Sequence, residues 1–163
     1  MSVRELVKSF PKNPKTNTII HYFSYESNRN SDKYHHNKIT LNHVLKYCLS
    51  KKVLSVDTET TGLDFLDESV TMFQIGDKEV QFVIDVRDIG LEFLREVLES
   101  KTILKVFHNV KFDYKMIRSS FGIVCQKVFD TMVVERILTT GKTIPKGFYS
   151  LAEVTQRRLG KEI

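Results

Sequence analysis

The chain has 163 residues, enough for one domain with an appendage, and its apolar fraction of 41% is ordinary for a protein with a sizeable core. No uncharged apolar run of about 18 residues occurs, which excludes a predicted membrane helix, and MSVRELVKSF at the N-terminus lacks the apolar centre of a secretion signal. The net charge of +5 sits in the first 50 residues, where eight Lys and Arg face three Asp and Glu, whereas residues 51–163 carry seventeen of each.

Residues 1–38 read as a basic N-terminal arm or linker. Pro11, Pro14 and the polar tract ESNRNSDKYHHNK (26–38) interrupt any periodicity, and TIIHYFSY (18–25) between them reads as one short strand. The positive charge of the arm suits a polyanion such as DNA, or simply keeps an extended segment in solution. His35 and His36 read as solvated residues of the tract rather than metal ligands.

From residue 39 to 163 the pattern is that of one domain. Thr40 caps a helix whose apolar positions Leu41, Val44, Leu45 and Cys48 follow helical spacing. Lys52–Asp57, Ser69–Ile75 and Val80–Asp85 are three strands, with a turn at Gly76-Asp77-Lys78, and predict an antiparallel meander. Leu91, Leu94, Val97 and Leu98 mark a helix that leads into a fourth strand, Ile103–Phe107, parallel to the first. Asn109–Phe121 is helical and closes at Gly122. An extended piece, Val124–Phe129, leads to Asp130, which reads as the cap of a helix over Thr131–Leu138 and as having no part in a site. After a loop with Pro145 and Gly147, Ser150 and Glu153 predict a capping box for the last helix. The order βββαβα predicts an α/β fold with a mixed sheet. Cys48 and Cys125 lack metal spacing and read as buried thiols in a reduced, non-secreted compartment.

The first strand ends in VLSVDTETTGLD (53–64). Alternation puts Asp57 and Glu59 on one face, roughly 6–7 Å apart at their Cα atoms. Two carboxylates so placed repel unless one is protonated or a cation joins them, and oxygen ligands suit Mg²⁺ or Mn²⁺. A solvated strand end entering a Thr-Gly turn is the alternative. In HNVKFDYKMI (108–117), Asp113 lies one helical turn after Asn109. If the fourth strand lies beside the first, Asp113 aims at Asp57 and Glu59; otherwise it is an exposed helix charge beside Lys111 and Lys115.

VDTETTGL, followed by HNVKFD and FDTM, resembles the 3′-5′ exonucleases with four catalytic carboxylates, in particular the proofreading domains of family A DNA polymerases and relatives such as ribonuclease D. The resemblance covers roughly residues 40 to 160 and extends to SLAEVTQRRLG (150–160). It implies a ribonuclease H-like sheet of five strands ordered 3-2-1-4-5, flanked by helices. It implies that Asp57, Glu59 and Asp113 hold two divalent cations, Mg²⁺ or Mn²⁺, for hydrolysis at the 3′ end of single-stranded DNA, or of RNA. It places Thr58, Thr60, Thr61 and Gly62 against the terminal nucleotide, Leu63 as a wedge beside the last base, and His108 and Asn109 near the 3′ end. A polymerase domain in the same or a separate chain is the implied partner, and the cytoplasm of a bacterial or phage-infected cell the implied setting.

One departure is large. The fourth carboxylate of such enzymes follows the SLAEVTQRRLG stretch, in a Tyr-x-x-x-Asp or His-x-x-x-x-Asp motif that residues up to Ile163 do not include. Tyr149-Ser-Leu-Ala-Glu153 has the first spacing but ends in Glu and aligns with the preceding helix. The expectation is an exonuclease-like domain lacking its C-terminal part. A ribonuclease D-like exoribonuclease and a catalytically incomplete nucleic-acid-binding module are the alternative readings.

Overall fold

The computed structural model describes residues 19–23 and 40–162. Six strands form one mixed sheet: β1 (Ile19–Phe23), β2 (Val53–Thr60), β3 (Val70–Gly76), β4 (Val80–Asp85), β5 (Leu104–Phe107) and β6 (Val128–Asp130). Their order is β1-β4-β3-β2-β5-β6. β2, β3 and β4 form the antiparallel meander, while β5 joins β2 and β6 joins β5 in parallel. The expected five-strand order therefore runs from β4 to β6. The addition is β1, which pairs in parallel with β4. Its apolar run identifies a strand, but nothing in that run names a partner. The remainder of the arm, with His35 and His36, lies outside the described residues.

The helices are α1 (Leu41–Leu49), α2 (Val86–Ile89), α3 (Arg95–Leu98), α4 (Val110–Phe121), α5 (Thr131–Leu138) and α6 (Leu151–Leu159). The helix expected around Leu91 is a 3-10 turn, Glu92–Leu94, running into the short α3. Leu91, Leu94, Val97 and Leu98 are all buried, so the spacing identified the face although the turn tightens. The short α2 was not expected; Asp85 caps it by accepting the Arg87 N–H at 3.2 Å. At the start of α6, Ser150 accepts the Glu153 N–H at 3.3 Å, whereas the Glu153 side chain faces Arg157 at 3.7 Å, so only half of the predicted capping box forms.

Alternation along β2 divides the molecule. Leu54, Val56 and Thr58 are buried, and Val53, Ser55, Asp57 and Glu59 are exposed. The buried row continues into Phe73 and Ile75 of β3 and Phe82 and Ile84 of β4, and packs in one core with Val44 and Cys48 of α1, Val97 and Leu98 of α3, and Met116 and Ile117 of α4. Both cysteines are free and buried. Among the described residues no helix is long and apolar enough to cross a membrane.

Among the described residues one lysine is buried. Lys105, beside Leu54 in the β2–β5 ladder, is fully buried, and its Nζ donates to the carbonyls of Ser100 at 2.7 Å and Ile103 at 2.8 Å. Burial disfavours the ammonium and lowers its pKa from 10.5 to about 8. Between those values the unfolded chain holds a proton that the folded chain has released, so this residue adds stability as pH rises through the window. We expect the difference in urea midpoint between wild type and Lys105→Met to move in favour of wild type from about pH 8 to about pH 10.5. A difference that does not change with pH would show that Lys105 does not titrate there.

Candidate active site

The site is built at the end of β2. Pairing with β3 slips there: Glu59 stands opposite Met72, but Thr60 stands opposite Val70. The Thr71 hydroxyl, left over in the bulge, donates to the Glu59 carbonyl at 3.1 Å. A bulge bends a strand and re-aims its side chains. Asp57 and Glu59 both face solvent beside it. Partial desolvation, followed by the charge of Glu59, raises the pKa of Asp57 above the ordinary carboxylate value.

Asp113 comes from α4, where Asp113, Met116 and Ile117 form the buried stripe. It is 3% exposed, and its Oδ1 accepts the Thr58 hydroxyl at 2.7 Å. Burial pushes its carboxyl up to about 6; the Thr58 hydrogen bond opposes the rise and the charge of Asp57 adds to it. Because α4 packs on the covered face of the sheet, its carboxylate meets Thr58 and not the exposed row of β2. Asp57 and Glu59 thus stand on the exposed row of β2, and Asp113 stands beside Thr58 on the covered side. Among the described residues no three His, Cys, Asp or Glu side chains are drawn together about one point. The donor chemistry still suits a hard divalent cation, since all three are oxygen ligands and the charge of Asp57 is felt by Asp113 and that of Glu59 by Asp57. The Thr58 side chain is 7% exposed and its hydroxyl is committed to Asp113.

The turn after β2 is closed by internal bonds. The Thr61 N–H donates to the Ser69 carbonyl at 3.1 Å, and the Ser69 N–H returns to Thr61 Oγ1 at 3.1 Å. The Thr61 hydroxyl also donates to Glu68 Oε2, and the Thr60 hydroxyl donates to the Gly62 carbonyl at 2.6 Å. A Cβ on Gly62 would stand 2.7 Å from Glu68 Oε1, so glycine leaves room for that carboxylate to lie across the turn. Leu63 projects from the tip, 85% exposed. A pocket of about 450 Å³ opens between the turn and α4, lined by Leu63, Asp64, Phe65, Asn109, Lys111, Phe112 and Lys115. The Lys115 ammonium sits 4.4 Å from the Phe65 ring centroid, a cation–π contact that holds the turn against the helix. A larger groove of about 830 Å³, lined in part by Lys51, Lys52 and Lys127, lies at the opposite ends of β2 and β5 and shares no residue with this site.

His108 and Asn109 connect β5 to α4. Both ring nitrogens of His108 are engaged within the protein, Nδ1 with Thr131 Oγ1 at 2.8 Å and Nε2 with the Tyr149 carbonyl at 2.8 Å. The ring therefore fastens the scaffold here. Asn109 takes the left-handed conformation (φ 70°, ψ 49°), and its side chain makes no capping bond. Its backbone N–H donates to Asp130 Oδ1 at 3.0 Å, and that of Val110 donates to Oδ2 at 2.9 Å. Asp130 caps α5 as expected, but it also holds the start of α4, a role with no sequence signal because its partners are backbone groups 20 and 21 residues away.

The family model described as "3'-5' exonuclease" matches residues 34–163. The chain belongs to this exonuclease family. Its DNA polymerase relatives include DNA polymerase I of Aquifex aeolicus, 36% identical over 99 residues that make up 60% of this chain and 16% of that protein. The DNA polymerase of Mycobacterium phage D29 is 30% identical over 118 residues, 67% of this chain and 19% of that one. The exonuclease-family chain thus spans less than a third of the curated relatives it matches. Among solved structures, Brucella melitensis NrnC superposes with a TM-score of 0.61 at 26% identity, covering 72% of this chain and 56% of that one. Structures of NrnC include one with bound Mg²⁺ and one bound to pGG. The ribonuclease H-like fold is shared with such nucleases.

Asp113 gives a titration that needs no substrate. Below about pH 4 both folded and unfolded chains hold its proton; between about 4 and 6 only the folded chain does, so stability falls as pH rises through that window. In EDTA, Asp113→Asn should therefore gain on wild type between pH 4 and 6, by on the order of 2 kcal/mol in urea unfolding. A constant difference across that range would mean that Asp113 titrates like an exposed carboxylate.

Proposed function

We propose that the chain is the 3′-5′ exonuclease unit of a DNA polymerase system, removing nucleotides from single-stranded DNA 3′ ends in proofreading, with the polymerase domain in the same or a separate chain. The observation that carries this reading is the exposed Asp57–Glu59 pair at the end of the central strand, one residue either side of Thr58, which holds the buried Asp113. Membership in the exonuclease family and the two DNA polymerase relatives support it. The Mg²⁺ and pGG seen with NrnC support a metal-dependent nuclease acting on short nucleic-acid ends.

Asp57, Glu59 and Asp113 would hold the cations, one or two Mg²⁺ or Mn²⁺. Bound there, such ions supply a water of lowered pKa and neutralise charge on the scissile phosphodiester. The other groups bind and orient. Leu63 and Phe112 offer apolar faces for bases, as stacking on such surfaces is sequence-tolerant. Asn109, whose side chain makes no capping bond, lines the pocket and offers an amide to a 3′ end. Lys111 and Lys115 oppose phosphate charge, and the Lys and Arg residues before Thr40 add to the positive charge of the chain. Thr60, Thr61 and Gly62 fix the turn that carries Leu63. Two free, buried thiols agree with a cytoplasmic setting in a bacterial or phage-infected cell.

The test combines binding and turnover. Calorimetry with Mn²⁺ should give heat with wild type and little with Asp57→Ala, and equal heats would remove the metal assignment. Release of mononucleotides from a 5′-labelled single strand should require Mg²⁺ or Mn²⁺ and fall by ~10²–10³ in Asp57→Asn. Matched DNA and RNA oligonucleotides decide the substrate: faster loss of RNA would turn the reading to an exoribonuclease.

A further inference from the structure

The pair Asp130-Thr131 closes on the stretch Phe107–Val110 residue by residue. Phe107 stands beside Asp130 in the β5–β6 ladder, and its carbonyl accepts the Thr131 hydroxyl at 3.1 Å. His108 meets that same hydroxyl oxygen through Nδ1. Asn109 and Val110 give their N–H groups to opposite oxygens of Asp130. Oδ1 also accepts from Met132 at 2.8 Å and Val133 at 3.2 Å. One carboxylate thus serves four backbone donors drawn from the starts of two helices, where a negative group is favoured by both dipoles. A cap for α5 alone would need only Met132 and Val133.

The contact to Asn109 bears on conformation. A left-handed backbone is uncommon outside glycine, and asparagine, which adopts it more readily than most residues, still depends on its surroundings to hold it there. That turn swings the chain from β5 into α4 and determines where the Asn109 side chain stands in the pocket with Leu63 and Phe112. We propose that Asp130 is a positioning residue for substrate: by gripping the amides of residues 109 and 110 it fixes the left-handed turn from which Asn109 engages a nucleic-acid 3′ end. The proposal rests on the nuclease reading above and adds a residue that touches no substrate.

The experiment uses the full chain as wild type, Asp130→Asn, Asn109→Ala and the double variant. Affinity for a 5′-fluorescent (dT)₈ strand is read by anisotropy in Ca²⁺, and backbone amide exchange is read by NMR. Loss of one charge-assisted contact or of the amide it positions should each weaken binding by ~10-fold. Because Asp130 acts through Asn109, the double variant should also be ~10-fold weaker, and not ~100-fold as independent sites would give. Exchange in Asp130→Asn should quicken at Asn109 and Val110. Multiplying effects in the double variant, or wild-type affinity in Asp130→Asn, would overturn the proposal. If Asp130→Asn does not fold, Asp130→Glu keeps the charge and displaces it by one methylene, with the same expectations. Absence of binding by wild type would instead defeat the nuclease reading, and the clasp would then stand or fall on exchange at Asn109 and Val110 alone.

Discussion

Successive side chains of a strand point to opposite faces, and β2 uses both fully. Its inward row, Leu54, Val56 and Thr58, anchors the core beneath α1, α3 and α4; its outward row ends in Asp57 and Glu59. Thr58 is the junction. It is buried like a core residue, yet its hydroxyl donates to the carboxylate of α4, so the acidic residues of two elements are referred to one three-residue segment. Shifting β2 by one residue against its neighbours would exchange the rows, burying two carboxylates and exposing the core. Pairing with β3 on one side and β5 on the other prevents this.

Around that strand, polar side chains tie loops to backbone and to one another. Asp130 and Thr131 hold the entry to α4, Glu68 and Thr61 hold the turn below Leu63, and His108 joins the α5 start to the segment before α6. Further out, Glu135 is buried between α5 and α6 and is met by Arg157 and Arg158, whose cations hold its carboxyl below the ordinary range. These contacts leave Leu63, Asn109 and Phe112 facing the pocket on supports that are themselves fixed, which is what a site needs if binding is not to be spent on ordering loops.

Much of this was legible in the residues. Period-two runs located β2, β3, β4 and β5, and the Leu91–Leu98 spacing identified a buried face even though the helix there is short. The stripe Asp113, Met116, Ile117 carried the information that Asp113 turns inward, because a carboxylate three and four residues before apolar positions shares their face. What the residues did not carry were relations across the chain. The partner of β1, the reach of Asp130 to the Asn109 and Val110 amides, and the space that Gly62 leaves for Glu68 all depend on backbone groups or on an absent side chain, neither of which has a letter in the sequence. The inward turn of Thr58 toward Asp113 belongs with these: a motif marks proximity to a site but not which face a residue takes.

The outermost strand has a practical meaning. β1 covers the edge of β4 with residues that lie more than 50 positions earlier in the chain, as Ile19 pairs with Val80 and Phe23 with Ile84. A recombinant fragment begun at residue 39, where the domain pattern starts by sequence, would leave that edge bare and present a row of unpaired amides and carbonyls to other molecules. Bare edges of this kind recruit strands from neighbouring chains and seed insoluble material. Material intended for crystallisation or enzymology should therefore retain Ile19–Phe23, and poor solubility of shorter versions would reflect the lost strand and not a failure of the domain to fold.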